Sequence, residues 1–180
     1  MARKIKKQMF SWMNSGLEVR KNKKFGMGIF AKTEIKKGEM LAIFGGYIMG
    51  AKEEEKLPSR INDCGLQISE DFVLGGRDES EIYKTDYFNH SCNPNAGFKG
   101  QIFLIAMRKI KKNDEVVFDY AMALHRSKGV KMYKMRCLCG SEKCRKVVTD
   151  YDWKKPELQK KYKGYFQWYL QEKINKKSKL

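Results

Sequence analysis

The chain has 180 residues, 42% hydrophobic, 12% aromatic and 33% charged. That length holds one domain, or one domain with a small appendage, and the apolar content excludes a wholly disordered protein. Its 38 Lys and Arg against 21 Asp and Glu leave a formal charge of +17, a field that draws polyanions: nucleic acid, an acidic membrane face or an acidic protein patch. Lysine-rich solubility is the plainer reading of the same number.

The longest apolar stretch, Met40 to Ala51, is interrupted by Gly45, Gly46 and Gly50. It falls short of the roughly 20 residues that span a bilayer, so no membrane partner is expected. Arg3, Lys4, Lys6 and Lys7 have no apolar run behind them, so no export signal is expected and the chain is placed inside the cell. In that setting the tight cluster Cys137-x-Cys139-x4-Cys144, among five cysteines, reads as metal ligands rather than disulfides.

In chain order, residues 1–10 are a basic arm. Leu17 to Ala31 reads as a hairpin, with a turn at Lys21–Lys23 and a glycine loop at Gly26-Met27-Gly28. A turn at Ile35–Glu39 feeds a strand over Met40–Phe44. Ala51–Leu57 reads as a short polar helix stopped by Pro58. Leu66–Ile68 and Phe72–Leu74 are short strands. Residues 86–98 (DYFNHSCNPNAGF) are polar and turn-rich. Ile102–Met107 reads as a buried strand, and Glu115–Tyr120 as another after a basic turn at Ile110. From Pro156 to Ile174 the period becomes helical, with Leu158, Tyr162, Tyr165, Phe166, Tyr169, Leu170 and Ile174 on one face. That face caps the core or offers a dimer surface, and the oligomeric state stays open. Many short strands with few helices make a β-rich α+β fold.

Three motifs carry chemistry. Gly26-x-Gly28 lets backbone approach a ligand, although on its own it is an ordinary hairpin turn. Cys137, Cys139 and Cys144 offer three thiolates within eight residues. Structural zinc takes four tetrahedral ligands, and the fourth comes from Cys64, Cys92, His90 or His125. Asn89-His90-Ser91-Cys92-Asn93-Pro94-Asn95 is either a polar turn closing on itself or a holder for a ligand's polar edge.

Taken in order, GMG, NHSCNPN, DEVVFDY and CLCGSEKC resemble the SET-domain protein lysine methyltransferases, over Leu17 to Arg145. The C-terminal DWKKPELQKKYKGYF resembles the tail of small stand-alone bacterial-type SET proteins. The resemblance implies a SET fold of several short-stranded sheets with a knot-like crossing and a C-terminal helix. It divides the chain into a basic arm (1–14), a SET domain (15–125), a post-SET zinc segment (126–150) and an amphipathic helix with a basic tail (151–180). It implies S-adenosylmethionine as cofactor and S-adenosylhomocysteine as product. Cofactor contacts fall on Lys21, Gly26, Met27, Gly28, Asn89 and His90. Tyr120 stands beside the transferring methyl, and Phe44 and Phe118 wall the substrate-lysine channel. Cys92 joins Cys137, Cys139 and Cys144 around one structural Zn2+.

Departures from the family pattern sharpen these expectations. Phe44 stands where many members have Tyr, and Phe118 where Tyr and Phe alternate. The missing hydroxyls leave room for di- or trimethylation. Asp86 replaces an arginine common before the NHSC string. Cys64-Gly65 lies where an aromatic is usual, so Trp153 or Tyr151 is expected to face adenine. The implied substrate is a histone or another basic nucleoprotein, in a nucleoid or a nucleus. Glu53–Glu55, Glu70-Asp71, Asp78-Glu79 and Glu81 are candidates for lining its groove, and the basic arm and tail for touching nucleic acid. The alternatives are a catalytically idle SET-like module that binds nucleic acid or chromatin, and a zinc-stabilised nucleic-acid protein of unrelated fold.

Overall fold

The structure, a computed structural model, describes residues 10–22, 26–62 and 64–177. The basic arm up to residue 9, Lys23 of the expected turn and the last three residues of the tail lie outside them.

The strands are β1 (Trp12–Met13), β2 (Leu17–Asn22), β3 (Gly26–Ala31), β4 (Met40–Ile43) and β5 (Tyr47–Gly50), then a short helix α1 (Ala51–Glu54). Next come β6 (Leu66–Gln67), β7 (Phe72–Gly75), β8 (Asn89–His90), β9 (Ala96–Lys99), β10 (Phe103–Ala106) and β11 (Val117–Phe118). After a 3-10 turn at Tyr120–Met122, β12 (Lys134–Arg136) and β13 (Val147–Thr149) precede α2 (Pro156–Lys161) and α3 (Trp168–Lys177). This is the expected β-rich α+β architecture. No helix among the described residues is long and apolar enough to cross a membrane.

The strands form several small sheets. A four-stranded sheet runs β1-β4-β10-β9, a three-stranded one β5-β7-β6, and β2–β3 and β12–β13 are two-stranded ladders. β8 and β11 pair in parallel, Asn89 opposite Val117 and His90 opposite Phe118. A parallel pair needs a long connection, and here it brings two distant motifs side by side. The core lies where Leu41, Phe98, Leu104, Ile110 and Val116 meet Tyr162 and Leu170, all fully buried. The C-terminal helices thus close the core from outside.

Three expectations need correction. The turn expected at Lys21–Lys23 does not include Lys21 and Asn22, which continue β2 opposite Met27 and Gly26. The helix expected over Pro156–Ile174 is two helices, α2 and α3. Gly164 between them takes φ +81°, a left-handed conformation that ends a helix without a Cβ penalty. The face nonetheless stays buried apart from half-buried Tyr165, since Leu158, Tyr162, Phe166, Tyr169, Leu170 and Ile174 all join the core. The strand expected over Glu115–Tyr120 shortens to β11, because Asp119 caps the 3-10 turn by accepting from the Ala121 N–H at 3.0 Å.

Candidate functional site

The β8–β11 pair sets the first part of the site. Asn95 fastens β11 in place: its side-chain N–H donates to the Glu115 carbonyl and its oxygen accepts from the Val117 N–H, at 2.8 and 2.9 Å. The Ser91 N–H donates to the Phe118 carbonyl at 3.0 Å. The polar string therefore bonds to a neighbouring strand rather than only to itself.

Asn89 reaches the glycine strand. Its Nδ2 donates to the Met27 carbonyl and to Glu115 Oε1, both at 2.8 Å. With both amide hydrogens so engaged, Oδ1 is held on the opposite side as an acceptor. Gly28 makes this approach possible: a Cβ there would lie 2.6 Å from Glu115 Oε1 and 2.8 Å from Asn89 Nδ2. Gly26 takes φ +83° at the head of β3. Lys21 sits across the ladder from Met27, with its side chain exposed.

His90 is buried. Its Nδ1 accepts from the Tyr120 N–H at 3.2 Å, and its Nε2 lies 3.4 Å from Cys92 Sγ. Burial pushes its pKa down to about 4, with Asp119 opposing, so at neutral pH it is an uncharged spacer between Tyr120 and the sulfur cluster.

Tyr120 belongs to an aromatic chain. Ring centroids run 5.9 Å from Phe44 to Phe98, 5.2 Å on to Phe118, 5.1 Å to Tyr120 and 6.5 Å to Tyr133. The Tyr120 hydroxyl donates to the Phe88 carbonyl at 3.3 Å. A narrow cavity of about 70 Å³ opens among Phe44, Phe88, Phe118, Tyr120 and Tyr133. Among the described residues Asp86 is the one carboxyl lining it, and burial lifts its pKa to about 6.

The four cysteines converge. The sulfurs of Cys92, Cys137, Cys139 and Cys144 all lie within 4.8 Å of one another, and Cys92 and Cys137 are 3.9 Å apart. Tetrahedral zinc with sulfur at 2.3 Å requires about 3.8 Å between sulfurs, so the set fits zinc. The Arg145 and Lys146 N–H groups donate to Cys92 and Cys144 sulfur, each at 3.4 Å, as thiolates require. β12 and β13 bracket Cys137–Cys144, and neither strand was expected. Cys64 lies apart, its thiol donating to the Arg60 carbonyl at 3.4 Å.

One buried charge network also escaped sequence reasoning. Arg145, next to Cys144, places both terminal nitrogens on Asp119 at 2.5 and 2.7 Å and Nε on Asp152 at 3.0 Å. The Tyr162 hydroxyl donates to the same Asp119 at 2.9 Å. Although burial would raise the Asp119 pKa, Arg145 holds it below the usual carboxylate value. Asp119 precedes Tyr120, so the cysteine segment is tied directly to the tyrosine's backbone. The visible signal was an acid between two aromatics in FDY and an arginine directly after the last cysteine.

A second, wider cavity of about 330 Å³ adjoins the first, sharing Gly65, Gln67, Leu124 and Tyr133. Of the acidic clusters expected to line a groove, Glu54 and Glu55 do so. Glu53 instead caps α1 by accepting from the Gly50 N–H at 2.8 Å, Glu79 pairs with Arg60, and Glu70 with Lys173. Trp153 is 2% exposed and stacks on His125 at 5.3 Å, which leaves it no open face for an adenine ring. Tyr151 is 42% exposed, with Lys154 Nζ 4.6 Å over its ring.

Comparison with known proteins fits this geometry. The SET domain family pattern matches residues 26–121. The variant-silencing SET domain-containing protein of Plasmodium falciparum (isolate 3D7) is 29% identical over 146 residues, 71% of this chain. Histone-lysine N-methyltransferase 2B of Homo sapiens is 27% identical over 136 residues, 69% of this chain. The chain spans 5% of the length of each of these relatives. Among solved structures, KRYPTONITE in complex with mCHG DNA and SAH superposes with a TM-score of 0.55 at 24% identity, over 73% of this chain and 28% of that one.

Proposed function

The chain belongs to the SET-domain family, and from that premise we propose that it is an S-adenosylmethionine-dependent protein lysine N-methyltransferase. The observation that carries the reading is the narrow aromatic cavity ending on Tyr120, built on the same parallel strand pair that presents Asn89. The human relative's name, histone-lysine N-methyltransferase, and the SAH in the KRYPTONITE structure support it.

When bound, the cofactor supplies a sulfonium methyl group, and the chemistry is an in-line displacement in which the N–C bond forms as the C–S bond breaks. The chain's own groups do the rest. Asn89 Oδ1 and the backbone of Gly26–Gly28 receive the cofactor's amino-acid end. The lysine amine must lose its proton first, from an ordinary pKa near 10.4. The walls of Phe44, Phe88 and Phe118 disfavour the ammonium by desolvation and lower that value. The same walls align the amine, and alignment lowers the barrier. The Tyr120 hydroxyl and the Phe88 carbonyl, already 3.3 Å apart, would accept weak C–H···O contacts from the polarised methyl. Zinc on the four cysteines would be structural, folding the segment that closes the site.

The substrate class we propose is a histone or other basic nucleoprotein, and the site of action chromatin or a nucleoid. Isotope-labelled S-adenosylmethionine offered to histones, nucleoid proteins and lysate tests the activity. We expect label on lysine, reduced at least about a hundredfold in Tyr120→Phe with cofactor binding retained. A folded, cofactor-binding protein that labels nothing would instead be an idle module. Phe44 and Phe118 leave space for successive methyl groups, so di- and trimethyl-lysine are expected by mass spectrometry. Phe118→Tyr shifts the product toward monomethyl-lysine.

A further inference from the structure

We propose that two basic turns, joined side by side where β4 begins and β10 ends, form a docking platform for the phosphate backbone of duplex DNA. The choice of DNA rests on the chromatin or nucleoid substrate proposed above.

The turns are the stretches 31–39 and 106–114, AKTEIKKGE and AMRKIKKND. In sequence they are two separate turns, and the fold ties them together along their length. At one end the Ala31 N–H donates to the Asp114 carbonyl and the Asn113 N–H to the Ala31 carbonyl, at 3.0 and 2.8 Å. In the middle Ile35 and Ile110 exchange bonds of 2.9 and 3.0 Å. At the other end the Gly38 N–H donates to the Ala106 carbonyl at 2.8 Å, and the Ala106 N–H to the Glu39 carbonyl at 2.9 Å. The side chains of Ile35 and Ile110 are buried. Backbone held at three points fixes where each outward side chain starts, which lowers the ordering cost of binding.

Seven of these eighteen residues are Lys or Arg, against 38 of 180 in the chain. Lys32, Lys36 and Lys37 on one turn are exposed, as are Arg108, Lys109, Lys111 and Lys112 on the other. The three carboxylates present do little to offset them. Glu39 and Asp114 close their own turns, accepting from the Lys36 and Lys111 N–H groups at 2.7 and 3.0 Å. Glu34 pairs with Lys109 at 2.8 Å. Among the described residues the other six cations make no ion pair. Like charges so crowded repel one another, and a polyanion turns that cost into attraction. A DNA duplex carries one negative charge per about 1.7 Å of its axis and releases counterions as lysines replace them. Neither turn carries an aromatic side chain. An unpaired base therefore has no ring to stack on, which favours a duplex over a single strand.

The platform is set apart from the site of methyl transfer. It lies where β3 ends and β4 begins, whereas Gly26–Gly28 open β3 and Phe44 follows β4. DNA bound there does not enter the aromatic cavity.

The test follows a labelled duplex of about 20 base pairs by fluorescence anisotropy between about 50 and 200 mM salt, with no methyl donor present. One variant combines Lys36→Gln, Lys37→Gln, Lys111→Gln and Lys112→Gln. A matched variant of equal net charge combines Lys154→Gln, Lys160→Gln, Lys163→Gln and Lys176→Gln in the C-terminal region. Thermal melts establish that both are folded. We expect the platform variant to lose about thirtyfold in affinity or more, with a salt slope shallower by about three to four, and the matched variant to lose less than about threefold. Arginine at the same four platform positions keeps the cations and should keep the affinity. Equal losses in the two variants would mean that net charge alone attracts the DNA, and would overturn the platform. Single-stranded DNA, duplex RNA or poly-glutamate binding the natural protein as tightly as the duplex would overturn its assignment to duplex DNA, poly-glutamate in favour of an acidic protein face. Platform-dependent DNA binding without methyl transfer to any protein keeps this inference and removes the activity. Methyl transfer by a protein that does not bind the duplex does the reverse.

Discussion

The central sheet and the cysteine segment cohere by different means. Around β4, β9 and β10, Leu41, Phe98, Leu104 and Val116 are fully sealed, and Tyr162 and Leu170 arrive from the C-terminal helices to cover them. Each such side chain contributes about 1.5–3 kcal/mol by leaving water. Between residues 126 and 150 the buried apolar complement is little more than Cys137 and Val148 against Cys92. That patch is too small to order a segment by itself. Four sulfurs and the Arg145–Asp119 pair hold it instead. The protein's stability and the closure of its site are therefore separable properties.

Metal removal should split the two regions most visibly. A zinc chelator is expected to abolish methyl transfer while the core keeps its β circular-dichroism signature, with one equivalent of zinc released per chain. Simultaneous loss of both signals would show that the core depends on the segment. Arg145→Met cuts the tie between the regions and leaves Asp119, which is 0% exposed, buried without its counter-ion. Breaking such a pair costs about 3–5 kcal/mol, a fall in Tm of about 6–20 °C at this chain length, read in thermal melts. Unchanged melting would mean that the segment merely rests on the core.

Asp86→Asn probes the core side, and its effect is the smallest. Burial raises the folded pKa of Asp86 from 3.8 to about 6, so the folded state holds a proton that the unfolded chain releases. Stability is accordingly lost as pH rises from about 4 to about 6. The asparagine variant should be about 1–3 kcal/mol more stable at pH 7.5, and the gain should vanish below pH 4. Urea denaturation at several pH values would check this, and a gain that persisted at low pH would rule out ionisation as its cause.

The parts legible in the sequence are those whose chemistry is local. The glycine pair, NHSC, FDY and the cysteine spacing each carry their residue types within a few positions. The aromatic period of the C-terminus identified the buried face, but one residue in a left-handed conformation breaks the helix without disturbing the period. β5 was hidden because Gly45-Gly46 reads as a break. β12 and β13 were hidden because Lys134–Arg136 and Val147–Thr149 are three residues each, too short for a pattern to register. Asp119 with Arg145 was out of reach for a different reason. Each partner is an ordinary charged or turn residue, and only the folded chain puts them together.

The parallel pairing of Asn89–His90 with Val117–Phe118 also shortens a loop. Cys92 lies two residues beyond His90, whereas its three sulfur partners come at least 45 residues later in the chain. Closing that loop is slow and entropically costly unless the strand pair has already formed. With Val117 held against Asn89, the stretch still to be closed runs only from residue 118 to the cysteines. The four sulfurs are therefore expected to gather once the strand pair has formed, and a chain denied zinc to keep that pair while losing the clasp.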